Sequence, residues 1–402
     1  MSDSSTSLES PKLFPYFLII FGMSAGLSSV VTLVAEFKQE FGFSNFEIGL
    51  TIFCGFAFSF IALITLSPHA DRGRSPILLK SGLLLGIIAL FFLAVGDSLW
   101  YFIVGRSLFG FGLGAAAPAA RRTVIVANPN ELGKNLGKLG AYDVAGWVVG
   151  PGITAALNAM GDFRTPFWVM GVALVFLLPT AWKAKPDAAG RDFQKRRPLD
   201  LFRIRRLKGA LLILSAYFAF IGVFESVWVL ELDFRGASQW QIGVALTLAA
   251  LPIPLLAMKG GILAQRFGAR RWALGTMSIC AAFVASFGMF QGLLTIIILT
   301  ILCSLFEGLG FPAGPMLVSV SVPEERQAAA QGLAGATEVA AGALASIMAA
   351  VIYQTTNDTV VWITTSIIMI VLLVFGWILT KPPDHQPVRP DIPFDIKRRL
   401  SG

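Results

Sequence analysis

The sequence predicts an all-α polytopic membrane protein, with twelve transmembrane helices arranged in two pseudo-symmetric bundles of six. Three observations predict this class: an apolar composition, apolar runs of about 20 residues, and an internal repeat. Of the 402 residues, 55% are hydrophobic and only 14% are charged. A soluble domain carries about 25% charged residues, so this chain lacks the polar surface that solubility requires.

Twelve apolar runs are long enough to cross a bilayer as helices. A helix needs about 20 residues to span about 30 Å of hydrocarbon. Lipid cannot satisfy backbone polar groups, and these runs lack the alternation of barrel strands, so we expect helices. The predicted spans are 13–35, 46–66, 77–95, 98–120 (with a possible extension to 126), 136–158, 164–182, 209–230, 241–260, 271–290, 293–316, 328–352 and 359–380.

Basic residues concentrate in alternate loops, which predicts the topology. The other loops hold little beyond Lys38, Arg164 and Arg235. Loops rich in Lys and Arg stay in the cytoplasm, so both termini are predicted there, in a multi-pass protein of the cytoplasmic (inner) membrane. The net charge of +8 is therefore read as a topology signal and not as a nucleic-acid surface. The basic loops carry Arg72, Arg74, Lys134, Lys138, Arg266, Arg270, Arg271, Arg326 and Arg389.

The longest polar stretch divides the chain into two halves. We predict a six-helix bundle over 1–182, a basic cytoplasmic linker over 183–208, a second bundle over 209–381 and a cytoplasmic tail over 382–402. The linker is interpreted as a topology anchor and tether. Its alternative role is to bind anionic lipid headgroups.

An internal repeat supports the two halves. Residues 42–49 (GFSNFEIG) match 236–243 (GASQWQIG) at an offset of 194, and 140–144 (GAYDV) match 335–339 (GATEV) at an offset of 195. The offset changes where loop 71–74 is one residue shorter than its counterpart. Parallel six-span repeats are typical of secondary transporters, which bind substrate between the halves near the midplane.

A glycine pattern in the fifth span gives the first family resemblance. Gly146 and Gly150 lie one helical turn apart, so a neighbouring backbone can approach closely, and Pro151 weakens the helix. With Gly137, this spacing resembles the antiporter signature of the major facilitator superfamily, although Thr154-Ala155 replaces its closing Gly-Gly. The resemblance implies a major facilitator fold of the drug:proton antiporter type. The alternative is that these glycines only pack helices.

Two loops resemble the superfamily signature between spans two and three. The first copy lacks the opening glycine and one residue, and the second has Gln where the signature has an acid. In the family this loop braces the halves on the cytoplasmic side through charge pairs, so the resemblance implies cytoplasmic gate loops. The alternative is an ordinary basic turn. The copies comprise Asp71, Arg72, Gly73 and Arg74, then Gly261, Gln265, Arg266, Gly268 and Arg270.

Charged residues inside the spans are candidates for proton coupling or for lining a substrate cavity. Arg106 precedes a glycine-rich run that resembles the fourth-helix motif of the family, which is associated with proton coupling. A buried guanidinium stays charged, so it needs a carboxylate, carbonyl groups or an anionic substrate. The candidate carboxylates are Asp143, Glu225, Glu307 and Glu338.

The predicted depths argue against the simplest ion pair. Counted along their helices, Arg106 and Asp143 differ by around 10 Å in depth. If span four continues to residue 126, Asp143 can instead form a static pair with Arg121 or Arg122. Glu225 and Glu338 are further from basic residues in sequence and are the stronger titrating candidates, whereas Glu307 can hydrogen-bond to backbone beside Gly308 and Gly310.

The cysteines, the tryptophans and the motif content of the sequence exclude several functional classes. Cys54, Cys280 and Cys303 all lie in apolar runs and predict neither a disulfide framework nor a metal site. Trp100, Trp168, Trp228 and Trp240 lie near span ends and indicate interfacial anchors. The sequence contains no catalytic constellation and no ATP-binding motif, so it predicts no enzyme and no cofactor.

We therefore predict a secondary active transporter that moves a small organic molecule by alternating access, with proton-coupled efflux. Its expected partners are the lipid bilayer, a small-molecule substrate and protons, without nucleic acid, and we expect a monomer. One alternative is a symporter or facilitator of an anionic solute, which a shared cavity for Arg106, Arg121 and Arg122 would favour. A second is a non-transporting sensor or scaffold on the same fold.

Overall fold

The structure is a computed structural model that describes residues 13–33, 37, 40–183 and 198–381. None of these residues forms a strand. Most of the predicted linker and all of the predicted tail lie outside the described residues, as do Lys38 and Arg389.

The described chain forms twelve helical spans in the predicted order. The N-terminal half contains α1 (Phe14–Thr32), α2 (Asn45–Thr65), α3 (Ser75–Val95), α4 (Leu99–Ala127), α5 (Leu132–Met160) and α6 (Thr165–Trp182). The C-terminal half contains α7 (Arg205–Phe234), α8 (Gln239–Ala250 and Pro252–Phe267), α9 (Ala269–Phe287), α10 (Leu293–Gly310 and Ala313–Ser319), α11 (Gln327–Thr355) and α12 (Asp358–Leu379). Helix α4 continues through residue 126, and α7 begins at Arg205, inside the predicted linker.

Most of these helices are apolar enough to cross a membrane. Eight described helical stretches meet that requirement by length and composition, and one of them, Phe46–Val95, comprises both α2 and α3. Helix α1 contains a shorter apolar stretch, Phe14–Ser29. Helices α5 and α9 are not among the eight, and each carries two basic residues in its first two turns.

Equivalent helices pack in equivalent ways in the two halves. In the N-terminal half α1 packs on α5, α2 on α4, and α3 on α6. In the C-terminal half the corresponding pairs are α7 on α11, α8 on α10, and α9 on α12. The sequence repeat is therefore also a repeat of helix packing.

The two loop glycines of the repeat have the same backbone role. The chain reverses between α2 and α3 at Gly73, with φ of 74°, and between α8 and α9 at Gly268, with φ of 90°. Glycine adopts this left-handed region without the steric cost that other residues incur. The superfamily-like loops thus keep glycine where the turn requires it.

One predicted anchor is wrong. Trp228 is only 1% exposed and lies inside the C-terminal half, against the rings of Phe224, Phe287 and Trp362. Distance from a span end could not distinguish an inward-facing ring from a lipid-facing one. Trp100 and Trp168 are exposed, as expected of anchors, and the side chain of Trp240 lies outside the described part of the chain.

Candidate functional site

A small cavity of about 20 Å³, enough for about one water molecule, lies where the two halves meet. Helices α1, α4 and α5 form its N-terminal side, and the break between the two segments of α10 forms its C-terminal side. Most of the lining is apolar, but one base and one acid face it. The lining residues are Ile20, Ala117, Arg121, Leu136, Leu139, Gly140, Asp143, Phe311, Pro312 and Pro315.

The charged residues of this cavity form a small cluster that both halves share. Ser24 Oγ donates a hydrogen bond to Asp143 Oδ1 at 2.5 Å, and Arg121 Nη2 lies 3.9 Å from Asp143 Oδ2. Glu338 of α11 is buried and within electrostatic range of Arg121 and Asp143, because α11 packs against α4. We call Arg121, Asp143 and Glu338 the midplane cluster.

The midplane cluster is suited to binding one positive charge. It contains two carboxyl groups and one guanidinium, so it carries one net negative charge when all three are ionised. An uncompensated charge in a low-dielectric interior is costly, which favours neutralisation by a proton or a cation. The sequence offered Arg121 or Arg122 as the partner of Asp143, and in the structure the partner is Arg121.

Arg106 lies outside the cavity lining and the midplane cluster. It is fully buried in the N-terminal half, where its Nη1 donates to the Leu27 carbonyl oxygen at 2.7 Å. Its guanidinium lies against Gly55 of α2, where an added Cβ would come within 3.2 Å of the Arg106 Nε. Arg121 follows it by 15 residues on α4 (121 − 106 = 15), a rise of about 22 Å. The described structure therefore does not gather Arg106, Arg121 and Arg122 into one anion-binding cavity.

Of the four candidate acids only Asp143 lines this cavity, and Glu307 and Glu225 also lie outside the midplane cluster. Glu307 is 5% exposed, and among the described residues its Oε1 has no hydrogen-bond partner. It lies within the C-terminal half, close enough to Tyr217 and Cys303 for its charge to act on both. Glu225 is on the exposed side of α7. Asp143 and Glu338 have Arg121 as a common electrostatic partner.

Asp71 joins the two halves at the face of the bundle that carries the basic loops, which we call the basic face. Its Oδ1 accepts hydrogen bonds from Arg122 Nη1 and from the Ala328 N–H, both at 2.8 Å, and its Oδ2 accepts from the Ala329 N–H at 2.8 Å. Arg122 Nη1 also donates to the Glu324 carbonyl at 2.8 Å. A carboxylate at the first turn of α11 also interacts favourably with the helix dipole. We call this arrangement the first interlock.

The second loop also crosses between the halves. Gln265 Oε1 accepts from the Gly133 N–H at 2.9 Å, and its Nε2 donates to the Asn130 carbonyl at 2.8 Å. Arg270 donates to the Trp377 carbonyl and to Thr380 Oγ1, both of its own half, and its role in the gate stays a prediction. Arg72, Arg74 and Arg266 have exposed side chains.

Small residues bring the halves into backbone contact at the basic face. A Cβ added at Gly137 of α5 would overlap the Ala257 carbonyl of α8, and one at Gly133 would overlap the Gly261 carbonyl. On the other side, a Cβ at Gly332 of α11 would overlap both the Leu63 carbonyl and the Ser67 side chain of the α2 end. The basic face is therefore closed in this structure.

The helix-five motif divides between two roles. Gly137 belongs to the closed basic face, whereas Gly146 and Gly150 pack against the backbone of α1 at Phe21 and Ala25, within the N-terminal half. Pro151 lies inside the unbroken helix α5. The coupling role that the resemblance implies for this motif stays a prediction.

Sequence reasoning missed an ionic network on the opposite face. Arg235 looked like an isolated loop charge, but its Nη2 pairs with Glu231 and, at 3.2 Å, with Asp358. Its Nη1 donates to the Phe290 carbonyl at 2.6 Å, and Trp362 Nε1 donates to Glu231. The network ties α7 to α12. The four-residue spacing of Glu231 and Arg235 was the signal that could have indicated it.

Comparisons with known proteins give one family. The family model of the Major Facilitator Superfamily matches residues 16–238 and 228–399. The tetracycline resistance protein, class B, of Escherichia coli is 26% identical over 361 residues, which are 86% of this chain and 89% of that protein. The quinolone resistance protein NorA of Staphylococcus aureus is 25% identical over 248 residues, 59% of this chain and 62% of NorA. The match thus spans less than two thirds of NorA.

Solved structures agree on the fold. The fucose:proton symporter FucP of Escherichia coli superposes with a TM-score of 0.76 at 17% identity, covering 92% of this chain and 98% of that chain. A likeness at this identity establishes the fold alone. It confirms the twelve-helix architecture in two bundles that the sequence predicted.

Proposed function

Because this chain belongs to the Major Facilitator Superfamily, and is thus a membrane transporter and not an enzyme, we propose that it exports a small organic molecule in exchange for protons. The midplane cluster is the observation that carries the proposal. It places one negative charge beside an apolar cavity, at the junction of the two halves. Two of the relatives are resistance proteins for quinolones and for tetracycline, which supports export.

The direction of access follows from the basic loops. By the positive-inside rule we propose that the basic face and both termini are cytoplasmic, in a protein of the inner membrane. We also propose that the protein is a monomer. The conformation closed at that face is then the outward-facing state. In it, a proton from outside would reach the midplane cluster after exported substrate has left.

Arg121 couples the charge of the cluster to the contact between the halves. With Glu338 ionised, Arg121 attracts carboxyl groups of both halves. With Glu338 neutralised, Arg121 interacts with Asp143 alone, and the contact between α11 and α4 loses this electrostatic contribution. A proton or a cationic substrate group at Glu338 would therefore change the cost of separating the halves, which is what alternating access requires.

Inside-out vesicles with an imposed pH gradient test this proposal. Ethidium serves as the cationic probe, carboxyfluorescein as the anionic probe, and a lumenal dye reports pH. We expect ethidium to discharge the gradient through the unaltered protein and through Asp97→Asn, a control that neutralises an exposed acid of the opposite face. Glu338→Gln and Asp143→Asn should lower that discharge by at least about tenfold, the effect of about 1.4 kcal/mol.

The alternatives give different results in the same assay. Discharge with carboxyfluorescein alone would replace the export proposal with a symporter or facilitator of an anionic solute. If a folded protein responded to neither probe, and neutralising the acids changed nothing, a non-transporting sensor or scaffold would be the better description. Equal activity of Glu338→Gln and the Asp97→Asn control would exclude the midplane cluster from coupling.

A further inference from the structure

The contact made by Gln265 is a repeat copy of the contact made by Asp71. Asp71 and Gln265 are 194 residues apart, and their partners Gly133 and Ala328 are 195 apart (265 − 71 = 194; 328 − 133 = 195). In both cases the side-chain oxygen accepts the backbone N–H of the second residue of a helix from the other half.

The helix contacts beside these loops repeat as well. Gly332 meets the Leu63 carbonyl, and Gly137 meets the Ala257 carbonyl. Each glycine lies 195 residues from its counterpart, and each carbonyl 194 (332 − 137 = 195; 257 − 63 = 194). The α5–α8 contact and the α11–α2 contact are thus two versions of one interface.

We propose that Gln265, Gly133 and Asn130 form a second interlock of the basic face, a neutral counterpart of the first, and that its neutrality makes it the weaker of the two. The inference rests on the proposed function only in that the basic face must open and close. It assigns to Gln265 a positioning role, because this residue lies outside the cavity lining and joins the end of α8 to the start of α5.

The arginine of the first interlock has no charged counterpart. The position equivalent to Arg122 is Leu317, which is fully buried on α10 (317 − 122 = 195). A carboxylate at position 265 would therefore gain no guanidinium comparable to that of Arg122. The charged pair of one half corresponds to an uncharged pair, Gln265 and Leu317, in the other.

An acid at position 265 would also have no hydrogen to donate to the Asn130 carbonyl. The Asn130 carbonyl accepts a hydrogen bond from the Gln265 amide, and Glu131 is the next residue. Lys134 hydrogen-bonds to Glu131 and holds the pKa of that carboxyl below its usual value, so Glu131 is ionised. Glutamine keeps the acceptor for Gly133 and supplies a donor for Asn130.

Distance measurements between spin labels test the second interlock without any substrate. After the three native cysteines are replaced, one pair of labels is placed at Asn130→Cys and Arg266→Cys, across α5 and α8. A second pair is placed at Arg74→Cys and Glu325→Cys, across the first interlock. All four side chains lie at the basic face, so each pair reports how far the halves have separated there.

Gln265→Leu removes both hydrogen bonds, so it should raise the ratio of molecules with an open basic face to molecules with a closed one about fivefold or more. Both label pairs should report this rise, because each half moves as a rigid body. Gln291→Leu, an exposed glutamine of the opposite face, is the matched control and should leave the ratio unchanged. Asp71→Asn should open the face further than Gln265→Leu. Unchanged distances in Gln265→Leu would overturn the second interlock, whether or not the protein transports ethidium.

Charge variants test the reason for neutrality. Gln265→Glu should open the face, because the new carboxylate gains no arginine and cannot donate the hydrogen bond to the Asn130 carbonyl. Adding Leu317→Arg to Gln265→Asp should restore or exceed the closed fraction of the unaltered protein. If Gln265→Glu alone closed the face more tightly, the explanation from the missing arginine would be wrong. That single variant decides the point if the double variant fails to fold.

Discussion

Asp143 and Glu338 occupy equivalent positions of the two halves, 195 residues apart, and both interact with the single arginine Arg121 (338 − 143 = 195). The position equivalent to Arg121 is Met316. The two acids are therefore related by the repeat, whereas the arginine that both of them contact electrostatically has no basic counterpart in the other half. The midplane cluster therefore carries one net negative charge when all three groups are ionised.

Replacing Arg121 should impair coupling more than removing either acid alone. Arg121→Gln leaves two carboxyl groups without a counter-charge, so we expect proton flux driven by ethidium to fall more than about tenfold, the equivalent of 1.4 kcal/mol in the barrier. Arg121→Lys retains the charge and should retain part of the flux. Arg203→Gln, an exposed arginine of the basic face, is the control. Full activity of Arg121→Gln would show that the midplane cluster is not required.

A larger residue at Gly332 should hold the basic face open. A side chain there overlaps the Leu63 carbonyl and Ser67, so Gly332→Leu cannot form the α11–α2 contact. We expect the Arg74–Glu325 label pair to shift mainly to its longer distance and ethidium export to be lost. Gly152→Leu adds the same side chain in open space on α5 and should behave like the unaltered protein. A short distance in Gly332→Leu would contradict closure through this contact.

The network of the opposite face should be a determinant of stability. Glu231→Ala removes one partner of Arg235 and the acceptor of the Trp362 N–H, all of which are buried. Arg235 keeps Asp358, but the buried Trp362 N–H loses its acceptor, which costs about 1–3 kcal/mol, so we expect a fall in the thermal denaturation midpoint of the purified protein. Asp97→Ala, at an exposed acid, should change it little. If the two midpoints were equal, the network would contribute nothing to stability.

The buried Arg106 depends on close contact between α2 and α4. A Cβ at Gly110 would overlap the Gly55 carbonyl, beside the surface on which the Arg106 guanidinium lies. We expect Gly110→Ala to separate these helices and to cost about 1–3 kcal/mol, the usual cost of overpacking. The denaturation midpoint should fall accordingly. Gly49→Ala on α2 meets nothing within 4 Å and should be neutral or slightly stabilising. Similar midpoints for both variants would disprove the tight α2–α4 contact.

The order of the spans, the two halves and the repeat follow from the sequence, because they depend on local properties. Whether a run of residues can cross a bilayer depends on its length and hydropathy. The glycines at 73 and 268 were also predictable, since a tight turn with positive φ favours that residue wherever it occurs. The repeat even placed Asp143 and Glu338 at equivalent positions before any contact was known.

Which charges meet was decided only by the tertiary structure. Asp143 meets Arg121 and not Arg106, Trp228 faces the interior, and Arg235 joins a network with Asp358, 123 residues away in sequence. Each of these outcomes depends on how a helix is rotated about its axis and which distant helix packs against it. An apolar run specifies neither, because nearly every face of a transmembrane helix is apolar and only contact with the other helices selects the one that turns inward.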